Sequence, residues 1–160
     1  MSDIRVGLGV DFHRFERERR LVLGGVSIEH ELGLAGHSDA DVLTHALCDA
    51  LLGAASLGDI GTHFPDDDPR YEGVRSIALL KEVISLLAQE SYRPINVDCS
   101  VIAEQPRLSP YAAAIRGELA KAVGLASGSV GLKFTTSEGM GALGRSEGIG
   151  AFCVCLIERD

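Results

Sequence analysis

One stretch, residues 36–68, constrains the fold more than any other, because it joins a helical apolar pattern to an unusual set of polar side chains. It holds three of the five histidines, and Ser38 and Asp41 have the spacing of a helix-capping box. Gly58 supplies a helix stop. The pattern predicts a helix with its N-cap at Ser38 that ends before Gly58, with an apolar stripe of Leu43, Leu47, Ala50, Leu51 and Ala54.

The polar side of this predicted helix carries Asp41, His45 and Asp49 at four-residue spacing, which places them along one face. Solvated helix faces more often carry Lys and Glu, so this row indicates a ligand held from the side. The row alone leaves an alternative open, in which Asp41 caps the helix and the other two are surface residues, since single histidines are usually structural.

Length and composition indicate one domain of ordinary size. The chain has 160 residues, of which 46% are hydrophobic, and this is enough for a single packed core. Aromatic residues make up 5% and Trp is absent, so we expect an aliphatic core. The sequence has no internal repeat or linker, and we predict one domain over residues 1–160.

The net charge of −8 restricts the partners of the chain. Nucleic acid calls for a basic surface and is therefore excluded as a partner. A phosphate ligand would have to be held by metal ions, helix N-termini or a few placed Arg side chains.

The expected location is a reducing bacterial cytoplasm. No apolar run has the length needed to cross a membrane, so we predict no membrane partner. The N-terminus lacks the apolar region of a signal peptide, and a plastid location would require that a transit peptide had been removed. No cysteines form a CxxC pair, and we expect all four to be buried and reduced, at positions Cys48, Cys99, Cys153 and Cys155.

Local patterns predict a single α+β domain, with helices covering one face of a small sheet. Alternate positions on two of the strands, Val97, Cys99 and Val101, and Phe152, Val154 and Leu156, are apolar. We therefore expect the other sheet face to be apolar as well, which favours an oligomer. The predicted elements are a strand at 4–10, a strand pair or hairpin at 21–28 around Gly24 and Gly25, the central helix, a helix at 74–90, a strand at 95–103, a helix at 109–123, and strands at 130–136 and 149–158.

Three side chains form a candidate metal site. Asp11 and His13 follow the first predicted strand two residues apart and so point to the same side. With His45 they supply two imidazoles and one carboxylate, a set that suits zinc, with manganese or iron fitting less well. Three ligands leave a fourth position open, as in catalytic sites. Asp41 or Asp49 would orient His45.

Other residues are candidates for holding phosphate or a second cation. His37 and Ser38 precede the central helix, where backbone N–H groups favour anions. Thr135 and Thr136 end a predicted strand, and Glu138 next to them suits a hard cation such as Mg²⁺. Ordinary β-propensity is the alternative explanation for the threonines. The three consecutive Asp at 66–68 lack EF-hand spacing, and a solvated loop is the favoured interpretation.

Four motifs together resemble the 2-C-methyl-D-erythritol 2,4-cyclodiphosphate synthases. They are Asp11-x-His13-Arg14-Phe15, the run 37–54, the run 58–66 and Thr135-Thr136-x-Glu138, and in order they span nearly the whole chain. The resemblance implies a phosphorus–oxygen lyase of the non-mevalonate isoprenoid route. Its substrate would be 4-diphosphocytidyl-2-C-methyl-D-erythritol 2-phosphate, and its products the cyclic diphosphate and CMP. It also implies a homotrimer with active sites between subunits, packed around the uncovered sheet face.

The resemblance assigns roles to individual residues. Asp11, His13 and His45 would bind zinc or manganese, and Glu138 would contact a second ion, magnesium or manganese, on the substrate diphosphate. The reaction would be a metal-assisted attack of the 2-phosphate on the β-phosphate. The implied catalytic residues are Thr136, His37 and Asp49, and the implied substrate-binding residues are Ser38, Asp59, Ile60, Gly61, Phe64, Asp66, Asp68, Ala103, Arg107, Leu108, Ser109, Thr135 and Arg145.

One departure from the family concerns Ala142, which stands where the family often has an aromatic residue. In the family this segment, with Arg145 and Glu147, lines a cavity on the trimer axis that can hold an isoprenoid diphosphate, and Ala142 puts that use in question. Two other functions stay open. The same ligands would serve a metal-dependent phosphohydrolase, and a trimeric metal-binding or isoprenoid-sensing module would need no catalysis.

Overall fold

The computed structural model describes residues 3–159, which form a mixed sheet with helices on one face. Along the chain, the strands and helices are β1 (Asp3–Glu16), β2 (Leu21–Leu23), β3 (Val26–Ile28), β4 (Gly33–Leu34), α1 (Val42–Ala54), α2 (Ile60–His63), α3 (Ser76–Gln89), β5 (Tyr92–Ile102), α4 (Ala112–Val123), β6 (Val130–Thr135), α5 (Gly141–Gly144) and β7 (Gly148–Arg159). Short 3₁₀ turns lie at Pro69–Tyr71, Ser109–Tyr111 and Ser127–Ser129.

The main sheet has the strand order β4-β1-β7-β5-β6. All neighbouring strands are antiparallel except β5 and β6, which are parallel. β2 and β3 form a separate hairpin around Gly24 and Gly25, both at positive φ, as the paired glycines predicted. Within the described residues, the predicted α+β class with helices on one face is confirmed.

The central helix α1 packs on β1 and β7 at unusually short range, because β1 carries two glycines beneath it. A Cβ atom on Gly9 would lie 1.8 Å from the carbonyl oxygen of Ala46, and one on Gly7 would lie 1.9 Å from that of Ala50. No other residue type leaves room for this contact. The two glycines therefore allow the short distance between α1 and the sheet.

The two sheet faces differ in what covers them. Val97, Cys99 and Val101 are buried under the helices, and all four cysteines are buried and unpaired, as predicted. The opposite face of β1 and β7, here called the open face, is apolar as predicted, and no described residue covers it. Its exposed side chains are Ile4, Val6, Leu8, Val10, Phe12, Phe152, Val154 and Leu156.

Two predicted boundaries are wrong. β1 continues through Asp11 and His13 to Glu16, because β7 and β4 pair with it over that length. The central helix begins at Val42 with Asp41 as its N-cap, since Asp41 accepts a hydrogen bond from the N–H of Thr44. Ser38 accepts from the N–H of Ala40 and so closes a turn before the helix. The described residues include no helix that combines the length and apolar character required to span a membrane.

Candidate metal centre

Asp11, His13 and His45 converge on one point. The Oδ2 atom of Asp11 lies 2.9 Å from Nε2 of His13 and 3.2 Å from Nδ1 of His45, and those two nitrogens are 3.3 Å apart. Asp11 and His13 continue the side of β1 that carries Gly9, and His45 precedes Ala46 on α1. The close packing of α1 on β1 thus brings the three ligands together.

The spacing of the three atoms fits a divalent ion. Zinc–nitrogen and zinc–oxygen bonds of about 2.0 Å in a tetrahedron place neighbouring ligand atoms about 3.3 Å apart. The three observed separations, between 2.9 and 3.3 Å, match those edges. The predicted grouping of these three residues as a site that can hold a metal ion is confirmed.

The charges at the site are arranged for a cation. Burial raises the pKa of Asp11, but hydrogen bonds with His13 and His45 outweigh it and hold that pKa well below its usual range. Burial lowers the pKa of His13, and hydrogen bonds to Asp11 and to the carbonyl oxygen of Ala35 overcome this and raise it above its ordinary value. The carboxylate is therefore ionised, and a metal ion competes with a proton for His13.

The prediction that Asp41 or Asp49 orients His45 is wrong. The side chain of Asp41 is buried and accepts hydrogen bonds from the N–H groups of Gly24 and Gly25 at 2.9 and 2.7 Å, as well as from Thr44. Asp49 accepts from the N–H of Ile60 at 2.7 Å, and burial raises its pKa. The predicted row is divided because Asp41 precedes the helix and Asp49 contacts the first residue of α2.

The partners of His45 are two hydroxyl groups that local sequence patterns did not indicate. Its Nε2 atom lies 2.8 Å from Oγ of Ser76 and 3.2 Å from Oγ of Ser38. Ser76 in turn donates to Oδ1 of Asp39 at 2.5 Å. Ser76 is 31 residues from His45 along the chain. Because only tertiary packing of α3 against α1 brings them together, no local signal could have found Ser76.

A cleft of about 210 Å³ opens beside the metal ligands. His37 lies in it, and its buried Nε2 atom has no hydrogen-bond partner among the described residues. This cleft therefore gathers about half of the residues predicted to act on the substrate. The predicted residues that line it are His37, Ser38, Asp49, Ile60, Gly61, Phe64 and Asp66.

A second group of predicted residues lies elsewhere on the chain, around a surface cavity of about 340 Å³. β6, which ends in Thr135, is separated from β1 by β7 and β5, so the two strands are about 14 Å apart at the usual strand spacing. Glu138, just beyond, accepts a hydrogen bond from Thr136 at 3.3 Å. The predicted residues around this cavity are Ala103, Arg107, Leu108, Ser109, Thr135 and Thr136.

Three predicted substrate contacts line neither cavity. Asp59 caps α2 by accepting from Thr62, and Asp68 caps the turn at Pro69–Tyr71 and pairs with Arg70. The exposed Arg145 pairs with Glu147 at 2.6 Å. Near it, Phe12, Met140, Ala142 and Leu143 are among the residues around a third cavity, of about 460 Å³, next to the open face.

Residues 4–158 match the model of the YgbB family. The 2-C-methyl-D-erythritol 2,4-cyclodiphosphate synthase of Syntrophomonas wolfei is 54% identical over 98% of this chain and 99% of its own length. The protein of the same name from Chlorobaculum tepidum is 50% identical over 97% of this chain and 99% of its own.

Solved structures agree with the sequence comparisons. The bifunctional IspDF from Campylobacter jejuni matches with a TM-score of 0.96 at 37% identity, over 100% of this chain and 43% of that one. The CDP complex of IspF from Plasmodium falciparum matches with a TM-score of 0.85 at 31% identity, over 98% of this chain and 97% of that one. Together with the full-length relatives, these matches show that the chain belongs to the YgbB family.

Proposed function

We propose that this chain converts 4-diphosphocytidyl-2-C-methyl-D-erythritol 2-phosphate to 2-C-methyl-D-erythritol 2,4-cyclodiphosphate, with release of CMP, in the non-mevalonate isoprenoid route. The observation that carries the proposal is the Asp11, His13 and His45 site, set beside a cleft in a chain that matches synthases of this name over nearly its full length. The full-length relatives from Syntrophomonas wolfei and Chlorobaculum tepidum are bacterial proteins, and we expect the chain to act in the bacterial cytoplasm.

The reaction is a cyclising phosphoryl transfer that consumes no water. An oxygen of the 2-phosphate forms a bond to the β-phosphorus, and the bond from the β-phosphorus to the oxygen of the CMP leaving group breaks. The attacking phosphate is already anionic, so the protein does not have to supply a general base. Its task is to bring two anionic groups together in line.

The chain's residues perform this task in the proposal. Asp11, His13 and His45 hold a zinc or manganese ion, and Glu138 contacts a second ion, magnesium or manganese. Bound divalent ions supply neutralising positive charge for the phosphates. His37 and Thr136 orient phosphate oxygens. Ser38, Ile60, Gly61, Phe64 and Asp66 enclose the erythritol and ribose parts in the cleft, which Asp49 supports by holding the N–H of Ile60.

The residues around the second cavity complete the active site in the proposal. Ala103, Arg107, Leu108 and Ser109 hold cytosine and diphosphate, with Thr135 beside them. Asp59 and Asp68 shape the segment between α1 and α3, where Asp59 caps α2 and Asp68 caps the turn at Pro69–Tyr71.

We further propose a homotrimer in which each active site combines the metal cleft of one chain with the Thr136 and Glu138 surface of its neighbour. Two observations support it: these surfaces lie about 14 Å apart by strand spacing in one chain, and the open face of the sheet is apolar. In such a trimer the third cavity, with Ala142 and next to Arg145, faces the axis and is where an isoprenoid diphosphate would bind.

Phosphorus NMR of the protein with the cytidine diphosphate substrate and Mg²⁺ tests the reaction. We expect the cyclic diphosphate and CMP, loss of both after zinc chelation, and recovery when zinc is returned. Linear phosphate products would indicate a phosphohydrolase instead, and no turnover with any metal would indicate a binding module. His45→Ala should abolish turnover, whereas His30→Ala, which removes an imidazole outside the cleft, should retain it.

A further inference from the structure

The two ring nitrogens of His45 face different surroundings, and this fixes where the ring carries its proton. Nδ1 lies 3.2 Å from Asp11 and 3.3 Å from His13, on the side of the metal ligands. A nitrogen that binds a metal ion must offer its lone pair, so with an ion bound at Nδ1 the proton of the neutral ring would sit on Nε2. Nε2 then donates to Oγ of Ser76, which at 2.8 Å is its nearest partner.

Ser76 passes this interaction on to a carboxylate. Its hydroxyl proton goes to Oδ1 of Asp39 at 2.5 Å, because an ionised carboxylate can only accept. The lone pairs of Ser76 Oγ are available to His45 and to the hydroxyl of Ser38, which lies 3.3 Å away. Ser76 is fully buried, so water does not replace these partners. Each hydrogen bond in the series therefore has one consistent direction, from His45 through Ser76 to Asp39.

We propose that Ser76 and Asp39 are positioning residues for the metal, which hold His45 in the tautomer and orientation that present Nδ1 to the ion. The proposal rests on the metal site of the proposed function. A carboxylate behind a hydroxyl makes that hydroxyl a better acceptor, and the stronger hydrogen bond restricts rotation of the imidazole. It also connects the first residue of α3 to a ligand on α1.

Asp39 has two further, structural contacts that the experiment must separate from this role. Its Oδ1 atom also accepts the backbone N–H of Asp41 at 3.4 Å and that of Ser76, the first residue of α3, at 3.1 Å. Ser76→Ala keeps that N–H and removes only the hydroxyl. Asp39→Asn keeps an oxygen acceptor and removes only the charge. Ser85→Ala is the matched control, because Ser85 is an exposed serine of the same helix whose hydroxyl bonds the carbonyl of Lys81.

The first measurement is the zinc dissociation constant, by competition with a chromogenic chelator. Loss of an outer partner of a metal-binding histidine weakens metal binding by about 10-fold to about 100-fold, and we expect that loss for Ser76→Ala. Asp39→Asn should weaken zinc binding in the wild-type background but add nothing when combined with Ser76→Ala. Ser85→Ala should bind zinc as the wild type does, and Ser76→Thr, which restores the hydroxyl, should recover most of the affinity.

The second measurement reads the tautomer directly. In ¹⁵N-histidine spectra of the zinc-loaded protein, His45 of the wild type should be bound through Nδ1 and protonated at Nε2, and Ser76→Ala should show faster exchange of the Nε2 proton with water. Unchanged zinc affinity and unchanged exchange of that proton in Ser76→Ala would overturn the proposal, as would an equal effect of Asp39→Asn on zinc affinity in both backgrounds. If Ser76→Ala does not fold, Ser76→Thr and Asp39→Asn still decide it. A wild-type protein that binds no zinc would instead contradict the metal site of the proposed function.

Discussion

At the scale of single residues, His13 sets how the metal site responds to pH. Its pKa lies above its ordinary value, and a protonated imidazole cannot bind a metal ion. Zinc affinity should therefore rise with pH and level off once the pH exceeds the pKa of His13. Titration calorimetry between about pH 5 and about pH 8, in buffers of different ionisation enthalpy, should show proton release on binding. Constant affinity over that interval would contradict the prediction.

Asp41 joins two parts of the fold through one buried carboxylate. It accepts from Gly24 and Gly25 in the hairpin and from Thr44 in α1. Asp41→Ala leaves these donors unpaired, and each buried unpaired group costs about 1–3 kcal/mol. We expect the free energy of unfolding in urea to fall by about 3 kcal/mol or more. The exposed Asp67→Ala is the control, and an Asp41→Ala protein with equal stability would refute this role.

The metal ligands were predictable from sequence, whereas the groups that orient them were not. Asp11, His13 and His45 are side chains with metal-binding chemistry, and two of them share a strand at a spacing that points them the same way. Ser76 and Ser38 carry ordinary hydroxyls, and Ser76 lies on a different helix from the histidine it contacts. Residue type can predict a metal ligand, but only the packed structure shows which groups orient that ligand.

At the scale of elements, the contact between β1 and α1 determines whether the metal ligands meet. A Cβ atom on Gly9 would lie 1.8 Å from the backbone oxygen of Ala46, so Gly9→Ala must push α1 away from the sheet and move His45 with it. We expect zinc affinity to fall by about 10-fold or more, the scale seen when support of a ligand is lost. Chelator competition measures it.

Gly53 on the same helix provides a control, because its replacement by alanine should stabilise the fold without disturbing the metal site. A Cβ atom there meets nothing within 4 Å. Gly53→Ala should leave zinc affinity unchanged and raise the free energy of unfolding by about 0.5–1 kcal/mol, because alanine is the better helix former. Equal zinc affinity in Gly9→Ala and Gly53→Ala would show that the close packing does not set the ligand geometry.

The turn after β6 is held by Glu104. Its Oε1 atom accepts from the N–H of Ser137 at 3.0 Å and from that of Gly139 at 3.2 Å, on either side of Glu138. These backbone hydrogen bonds lower the pKa of Glu104. Glu104→Ala should release Glu138 from this turn, raise the Mg²⁺ concentration that gives half-maximal turnover severalfold, and leave zinc affinity unchanged. The exposed Glu118→Ala is the control, and an unchanged Mg²⁺ requirement would contradict the role.

Element type was predictable where apolar periodicity is long, and element length was not where partners decide it. The patterns for α3 and β7 predicted helix and strand at nearly the observed positions. β1 extends six residues beyond the predicted residue 10, to Glu16, because it pairs with β4 and β7, and pairing between distant segments leaves no local signal. β4, with two residues, is too short for any periodic pattern.

At the scale of the whole molecule, the open face predicts association. Val6 and Leu8 are 65% and 63% exposed, in a run of apolar side chains on two adjacent strands. Analytical ultracentrifugation should give three times the chain mass of 16.9 kDa. Leu8→Asp should shift the protein to smaller species and remove turnover, but zinc should still bind because the ligands come from one chain. Lys121→Asp on the helical side should stay trimeric.

Shared active sites make a sharper prediction, because two inactive variants should then restore each other. His45→Ala removes the metal cleft and Glu138→Ala removes the opposite surface, and each alone should be inactive. In trimers formed by co-expressing the two in equal amounts, a site works when an intact cleft meets an intact neighbouring surface, which random assembly gives in roughly a quarter of the sites. We therefore expect roughly a quarter of wild-type turnover per chain.

The alternative arrangement gives a different result in the same experiment. If each site took its cleft and its Glu138 from one chain, every site in the mixed trimer would lack one of the two, and turnover would stay at the level of the single variants. Sedimentation of the mixture establishes that trimers have formed, so inactivity cannot be ascribed to failed assembly. Restored turnover would mean that each active site combines the metal cleft beside β1 of one subunit with the surface at the end of β6 of its neighbour.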